Sequence, residues 1–185
     1  MALTPSSMIP LGEKAPDFSL PDTVSGKPFS LDDIKGEKGT LLMFICNHCP
    51  FVKHIESGLA LLGLDYAGGG IGMAAVSAND AENYPEDAPD KMKETAKRAG
   101  YPFPYLYDET QKTARAYDAT CTPDFFLFDA DLKCAYRGQF DGARPGNNIP
   151  VTGEDLRRAI DLLTAGKPVP ADGQKPSIGC SIKWK

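Results

Sequence analysis

Apolar positions along the chain fall into two kinds of pattern, and the two kinds alternate. "TLLMFIC", Thr40 to Cys46, is a continuous apolar run, and "IGMAAVSAND", starting at Ile71, opens on a second mainly apolar stretch. Runs of that kind predict strands buried on both faces. Between them Phe51, Ile55, Leu59 and Leu62 recur at helical spacing. They predict a helix from about Asn47 to Tyr66, with Pro50 in its first turn and Gly68-Gly69-Gly70 past its end. A charged helix is expected from Pro89 to Ala99, with Met92, Ala96 and Ala99 on one face.

Further along, "FPYLYD" reads as a short extended segment, and Asp108 with Gln111 as the capping box of a small helix. "DFFLFDADLKCAYRGQF" predicts a hairpin turning at Ala130-Asp131. Thr152 with Asp155 predicts the cap of a last helix, which points Leu156, Ile160 and Leu163 inward and stops at Gly166. Near the start, "PDFSLPD" and "KPFSLDDI" flank a Ser25-Gly26 turn and predict a second hairpin. Residues 167–185 carry no helical period and are expected to be extended and to dock on the rest. The order of elements predicts an α/β fold in one domain over residues 1–185. Its parts are a central mixed sheet flanked by helices, an N-terminal β-hairpin extension and an extended C-terminal tail.

Composition narrows the class. With 42% hydrophobic residues over 185 positions, the chain can bury a sizeable core. A net charge of -5 argues against nucleic acid as a partner, because phosphate binding needs a basic surface. No apolar run approaches membrane-spanning length. The N-terminal "MALTPSSMIPLGEK" lacks a charged-then-apolar signal pattern, so a cytoplasmic location is expected. Five cysteines cannot all pair within one chain. In a reducing compartment a close cysteine pair points to catalysis or metal binding rather than to a structural bridge.

That pair is Cys46 and Cys49, in "CNHC", where the first buried strand passes into a helix N-terminus. Unsatisfied N–H groups and the positive end of the helix dipole favour a thiolate there. Cys46 is expected to be the more exposed thiol and the nucleophile, and Cys49 the resolving thiol. For His48, between them, two roles stand open: a redox tuner or a solvated linker residue. His54 reads as a helix-surface residue. A structural zinc site would want four ligands, and no second cysteine pair is present, so no metal and no bound cofactor are expected. The acidic segment from 80 to 90 reads as solvated surface. Cys134 reads as a buried hydrophobe. Cys180 is either a third redox thiol or part of a docked tail with Ile178, Ile182 and Trp184.

Several long motifs in one order add to this: "APDFSLPD", "CNHCPFVKHI", "FPYLYDETQ", "CTPDFFLFD", "YRGQFDGARPG" and "PSIGCSIKWK". Together they resemble the peroxiredoxin-like branch of the thioredoxin-fold superfamily, the alkyl hydroperoxide reductase and thiol-specific antioxidant group, in its C-x-x-C-bearing subgroup. The resemblance implies a thioredoxin-like fold and redox chemistry at Cys46 and Cys49. It also implies a cis Thr122-Pro123 bond packed beside the pair, shaping a substrate groove. Cys121 would then either line that groove or pack as a small hydrophobe. The chain departs from the peroxiredoxin pattern P-x-x-x-T-x-x-C. With Cys49 as its last residue, Cys46 takes the threonine position and Leu42 the proline position, while the peroxide-activating arginine falls near Pro123. Thiol-disulfide exchange is therefore the expected activity. The alternatives are a thiol peroxidase using Cys49 and a non-enzymatic metal-binding or redox-sensing module. The implied partners are disulfide-bearing proteins or small thiols and an external reductant, with no nucleic acid and no membrane. Relatives of this kind often form homodimers, though no segment here specifies an interface.

Overall fold

The computed structural model describes residues 3–185. Its elements in chain order are β1 (Leu3–Pro5), β2 (Ser19–Pro21), β3 (Pro28–Ser30), α1 (Leu31–Ile34), β4 (Gly39–Phe44), α2 (Pro50–Asp65) and β5 (Ile71–Ser77). A 3-10 turn (Pro85–Asp87), α3 (Pro89–Ala99), β6 (Tyr105–Tyr107), α4 (Lys112–Ala116), β7 (Cys121–Thr122) and β8 (Asp124–Asp129) follow. β9 (Cys134–Gly138), α5 (Glu154–Thr164) and β10 (Ile178–Ser181) complete the chain.

The main sheet has five strands in the order β6-β5-β4-β8-β9. β4, β5 and β6 run parallel, while β8 and β9 form an antiparallel hairpin beside β4. The sheet is mixed, as expected. Two-residue periodicity divides β4 between its faces. Leu41 and Met43 enter one core with Leu59 and Leu62 of α2, Met92 of α3 and Leu156 of α5. Leu42 and Phe44 enter the other, with Leu31 and Ile34 of α1, Ala114 of α4 and Tyr117. A strand with a core on each side favours apolar residues throughout, which explains the unbroken run from Leu41 to Phe44; Thr40, also buried, accepts the Gly36 N–H. Both cysteines of the pair belong to the α2 and α5 side.

The predicted hairpins are present: β2 pairs with β3, and β8 with β9. Among the helix starts that differ from expectation, those of α4 and α5 are set by carboxylates lying outside the helix. α4 begins at Lys112, not Asp108; Gln111 adopts a left-handed conformation, and the Asp108 carboxylate accepts the Ala114 N–H at 2.8 Å. The Gln111 side chain points away from the helix and donates to the Ala78 and Lys183 carbonyls. Gly153, not Thr152, is the N-cap of α5. The carboxylate of Asp141 accepts the N–H groups of Thr152 and Gly153 at 2.7 and 2.6 Å. The tail is extended, and β10 fills the middle of a three-stranded sheet β1-β10-β7. Ile182 is buried there, whereas Ile178 and Trp184 are exposed.

Candidate active site

The site forms where β4 hands over to α2. Ile45 continues the sheet pairing for one residue, donating to the Val76 carbonyl at 3.0 Å. The chain then turns through Cys46, Asn47 and His48. The helix opens with the Lys53 N–H donating to the Cys49 carbonyl at 3.0 Å, which makes Cys49 the N-cap and Pro50 the first helical residue. The helix thus starts three residues later than Asn47, the expected start. Pro50 disfavours helical dihedrals in the residue before it, and Cys49 is extended with φ -66° and ψ 123°. The N–H groups of Asn47 and His48 are taken up by the Asp87 carboxylate instead, at 2.7 and 3.2 Å.

This start moves the chemistry by about one turn. Cys49, rather than Cys46, stands at the positive end of the 16-residue α2. Nor is Cys46 exposed as expected: it retains 2% of its accessible surface and Cys49 none. Two thiols aim at the Cys49 sulfur. The hydrogen bond from Cys46 is the strongest influence holding Cys49 in its charged form, against the opposing effect of burial. The Cys180 sulfur lies 2.9 Å away, and the peptide N–H groups of Val52 and Cys180 add to the effect. The balance brings Cys49 down to about 5. Cys46 moves the opposite way, well above the ordinary thiol range, because it gives its proton to that bond, is buried and faces the Asp87 charge. Burial, and then the hydrogen bond with Cys49, push Cys180 up to about 12. One thiolate is thus held between two thiols.

Thr122 ties the three together. The bond from Thr122 to Pro123 is cis. The Thr122 hydroxyl lies 3.3 Å from the Cys46 sulfur. Its carbonyl lies 3.2 Å from the Cys49 sulfur and accepts that proton when Cys49 is a thiol. In β10, Cys180 is the register partner of Thr122. Cys121 is fully buried and does not line an open groove; its sulfur faces the Pro123 carbonyl at 3.8 Å, and burial raises its pKa. Cys134 is buried in β9.

His48 is no solvated linker. Its Nδ1 donates to Asp87 at 2.5 Å, and its ring stacks on Tyr84 with centroids 5.5 Å apart. The bond to Asp87 raises its pKa and favours the imidazolium. Asp87 itself is completely buried and also accepts from the Asn79 amide at 2.7 Å. Its hydrogen bonds hold its pKa down against the penalty of burial. The acidic segment is therefore not all solvated surface, since Asp80 and Asp87 are both buried. Sequence reasoning missed Asp87 because acidic neighbours hide it, and its only local mark is a place between Pro85 and Pro89. His54 is exposed on α2. Cys46, His48 and Asp87 offer metal-ligating atoms within 4.8 Å of one another. Two of the three already satisfy each other in the His48–Asp87 bond, and a structural zinc takes four. Arg144 bonds the Asp141 and Ala143 carbonyls and the Gln139 side chain, and Arg137 bonds the Gln174 side chain through Nη1, so both guanidinium groups have partners away from the cysteine pair. An open groove of about 570 Å³ begins at Asn47 and is lined by Lys53, Glu86, Lys91, Glu94 and Arg98.

A strand-to-helix cysteine pair, with a cis Thr-Pro bond beside it on a mixed five-stranded sheet, defines a thioredoxin-fold redox protein. Within that class the chain belongs to the AhpC/TSA family, whose model matches residues 11–137. It is similar to an uncharacterized conserved protein from Geobacillus kaustophilus, with 58% identity, a TM-score of 0.98 and coverage of 100% of this chain and 97% of that one. A hypothetical protein from Sinorhizobium meliloti 1021 shares 48% identity with a TM-score of 0.95, covering 98% of each chain. A putative thiol:disulfide interchange protein DsbE from Chlorobium tepidum shares the fold at 23% identity and a TM-score of 0.65, covering 84% of this chain and 98% of that one. The search of curated proteins found no match.

Proposed function

We propose that the chain is a thiol-disulfide oxidoreductase in which Cys49 attacks and Cys46 resolves, the reverse of the order expected from sequence. The observation that carries this reading is the placement of Cys49 at the N-cap of α2, its sulfur 2.9 Å from that of Cys180, in surroundings where the Cys46 thiol foremost favours its thiolate. The Cys49 thiolate attacks one sulfur of a substrate disulfide, forms a mixed disulfide and expels the other sulfur as a thiolate. Cys46 then loses its proton and attacks the Cys49 sulfur, which closes the 46–49 disulfide and releases the second substrate thiolate. Two electrons pass from the pair to the substrate, and an external dithiol restores them. Imidazolium His48, within 4.8 Å of Cys46, supplies positive charge where the Cys46 thiolate develops.

Turnover of insulin and of a small aliphatic disulfide, with a dithiol as reductant, tests this. Wild type should turn over; Cys49→Ser should be inactive with both substrates, and Cys46→Ser should retain the first attack. Activity in Cys49→Ser would overturn the assignment. A second reading is peroxide reduction by Cys49, supported by the family and by the same thiolate. The engagement of Arg137 and Arg144 elsewhere weighs against it, because peroxide needs stabilisation of charge developing on oxygen. Peroxide consumption faster than disulfide turnover would reverse the ranking.

A further inference from the structure

The Cys46–Cys49 mechanism gives Cys180 no part in its bond changes, although its sulfur is 2.9 Å from the attacking one. The chain spends considerable structure on putting it there. β10 is held on both sides, by β1 through Leu3↔Cys180 and by β7 through Cys180↔Thr122. Beyond it, the Lys183 N–H donates to the Asn79 side chain at 2.8 Å, and the Lys183 carbonyl accepts from Gln111 at 2.8 Å. Gly179 is the closest approach: a Cβ there would stand 2.0 Å from the Thr122 carbonyl oxygen and 3.2 Å from the Pro123 ring. Only glycine lets the strand lie that near the cis bond. An extended peptide that paired with Thr122 and offered a cysteine to Cys49 would dock in this way. The protein's own C-terminus fills that position.

We propose that Cys180 is a second resolving thiol within the same chain, and that Cys49 is the sulfur shared by two alternative disulfides, 46–49 and 49–180. This inference rests on Cys49 as the attacking sulfur. After attack, Cys49 carries half of the substrate as a mixed disulfide and its charge is gone. Cys180 passes its proton to the departing substrate thiolate and attacks the Cys49 sulfur. The 49–180 bond forms, the bond from Cys49 to the substrate sulfur breaks, and the second substrate thiolate leaves. The protein is oxidised by two electrons, and the substrate disulfide is reduced to one thiol and one thiolate, which takes its proton from water. Cys46 can then attack Cys49 in turn, expelling Cys180 and moving the bridge to 46–49 with no net change of electrons. The 49–180 bridge fastens β10 to the start of α2, so oxidation by this route also locks the tail across Thr122 and Pro123.

The test uses full-length protein, one equivalent of a small aliphatic disulfide, acid quenching, alkylation of remaining thiols and mass mapping of cysteine pairs. In Cys46→Ser, the expected product is the 49–180 bridge with no substrate adduct. In Cys46→Ser/Cys180→Ser, the expected product is a stable one-to-one adduct on Cys49. Gly179→Ala on the Cys46→Ser background should shift the product from the bridge toward that adduct, because the alanine lifts β10 from Thr122. A stable Cys49 adduct with alkylated Cys180 in Cys46→Ser would overturn the proposal and leave Cys49 as the attacking sulfur. An absence of any Cys49 adduct in the double variant would instead overturn the reading on which it rests. Far-ultraviolet circular dichroism of each variant separates these results from a failure to fold.

Discussion

Asp124 shows how one buried group sets a property that the cysteines do not. It follows Pro123, is fully buried, and has its pKa pushed up to about 8 chiefly by loss of solvent. In the unfolded chain an aspartate titrates near ~3.9. Between those values the folded chain holds a proton that the unfolded chain has released, so stability falls as pH rises through the interval. Urea denaturation at about pH 5 and about pH 8 should therefore show wild type losing stability, and Asp124→Asn losing clearly less. Equal losses would mean that Asp124 does not hold its proton. His48 contributes in the same direction, since its folded pKa is raised by Asp87, and the comparison with the variant removes that common part. Asp87 takes the opposite course: its place between Pro85 and Pro89 is a faint local mark among acidic neighbours, yet it holds Asn47, His48 and Asn79 at once. Three partners from two separate segments converge on one carboxylate, and such convergence is set by the fold rather than by spacing.

At the scale of elements, the readable boundaries are those with local causes. α3 spans Pro89–Ala99 as expected, because Pro89 opens it and Gly100, left-handed at φ 71°, closes it. The starts of α2, α4 and α5 were misplaced by up to four residues, since the carboxylates that organise them lie in other segments or outside the helix. β10 is the element that bears most on chemistry, and Ile182 anchors it. That side chain is 3% exposed in the core with Phe44 and Tyr117, and its N–H donates to the Thr120 carbonyl at 3.0 Å. Ile182→Ala should cost about 2–4 kcal/mol by chemical denaturation, as buried large-to-small changes do. A loss below ~0.5 kcal/mol would show that the tail docks without it.

For the whole molecule, the two-faced sheet was legible because the cores of β4 and β5 are apolar on both sides, and the site was legible because a close cysteine pair stands out; of the two Thr-Pro steps in the chain, only the family resemblance marked Thr122-Pro123. The order of attack was not, because it depends on where the helix begins and on a tail that returns from the far end of the chain. Both features point to the same sulfur: Cys49 is the N-cap, and Cys46 and Cys180 are its two neighbours. The ultraviolet absorbance of the thiolate, followed against pH in wild type, Cys46→Ser and Cys49→Ser, tests that claim most directly. Wild type should titrate with a midpoint of about 5. Cys46→Ser should keep the transition at a higher pH, having lost the stronger thiol donor, and Cys49→Ser should lose it. A transition that survives in Cys49→Ser and disappears in Cys46→Ser would contradict the account.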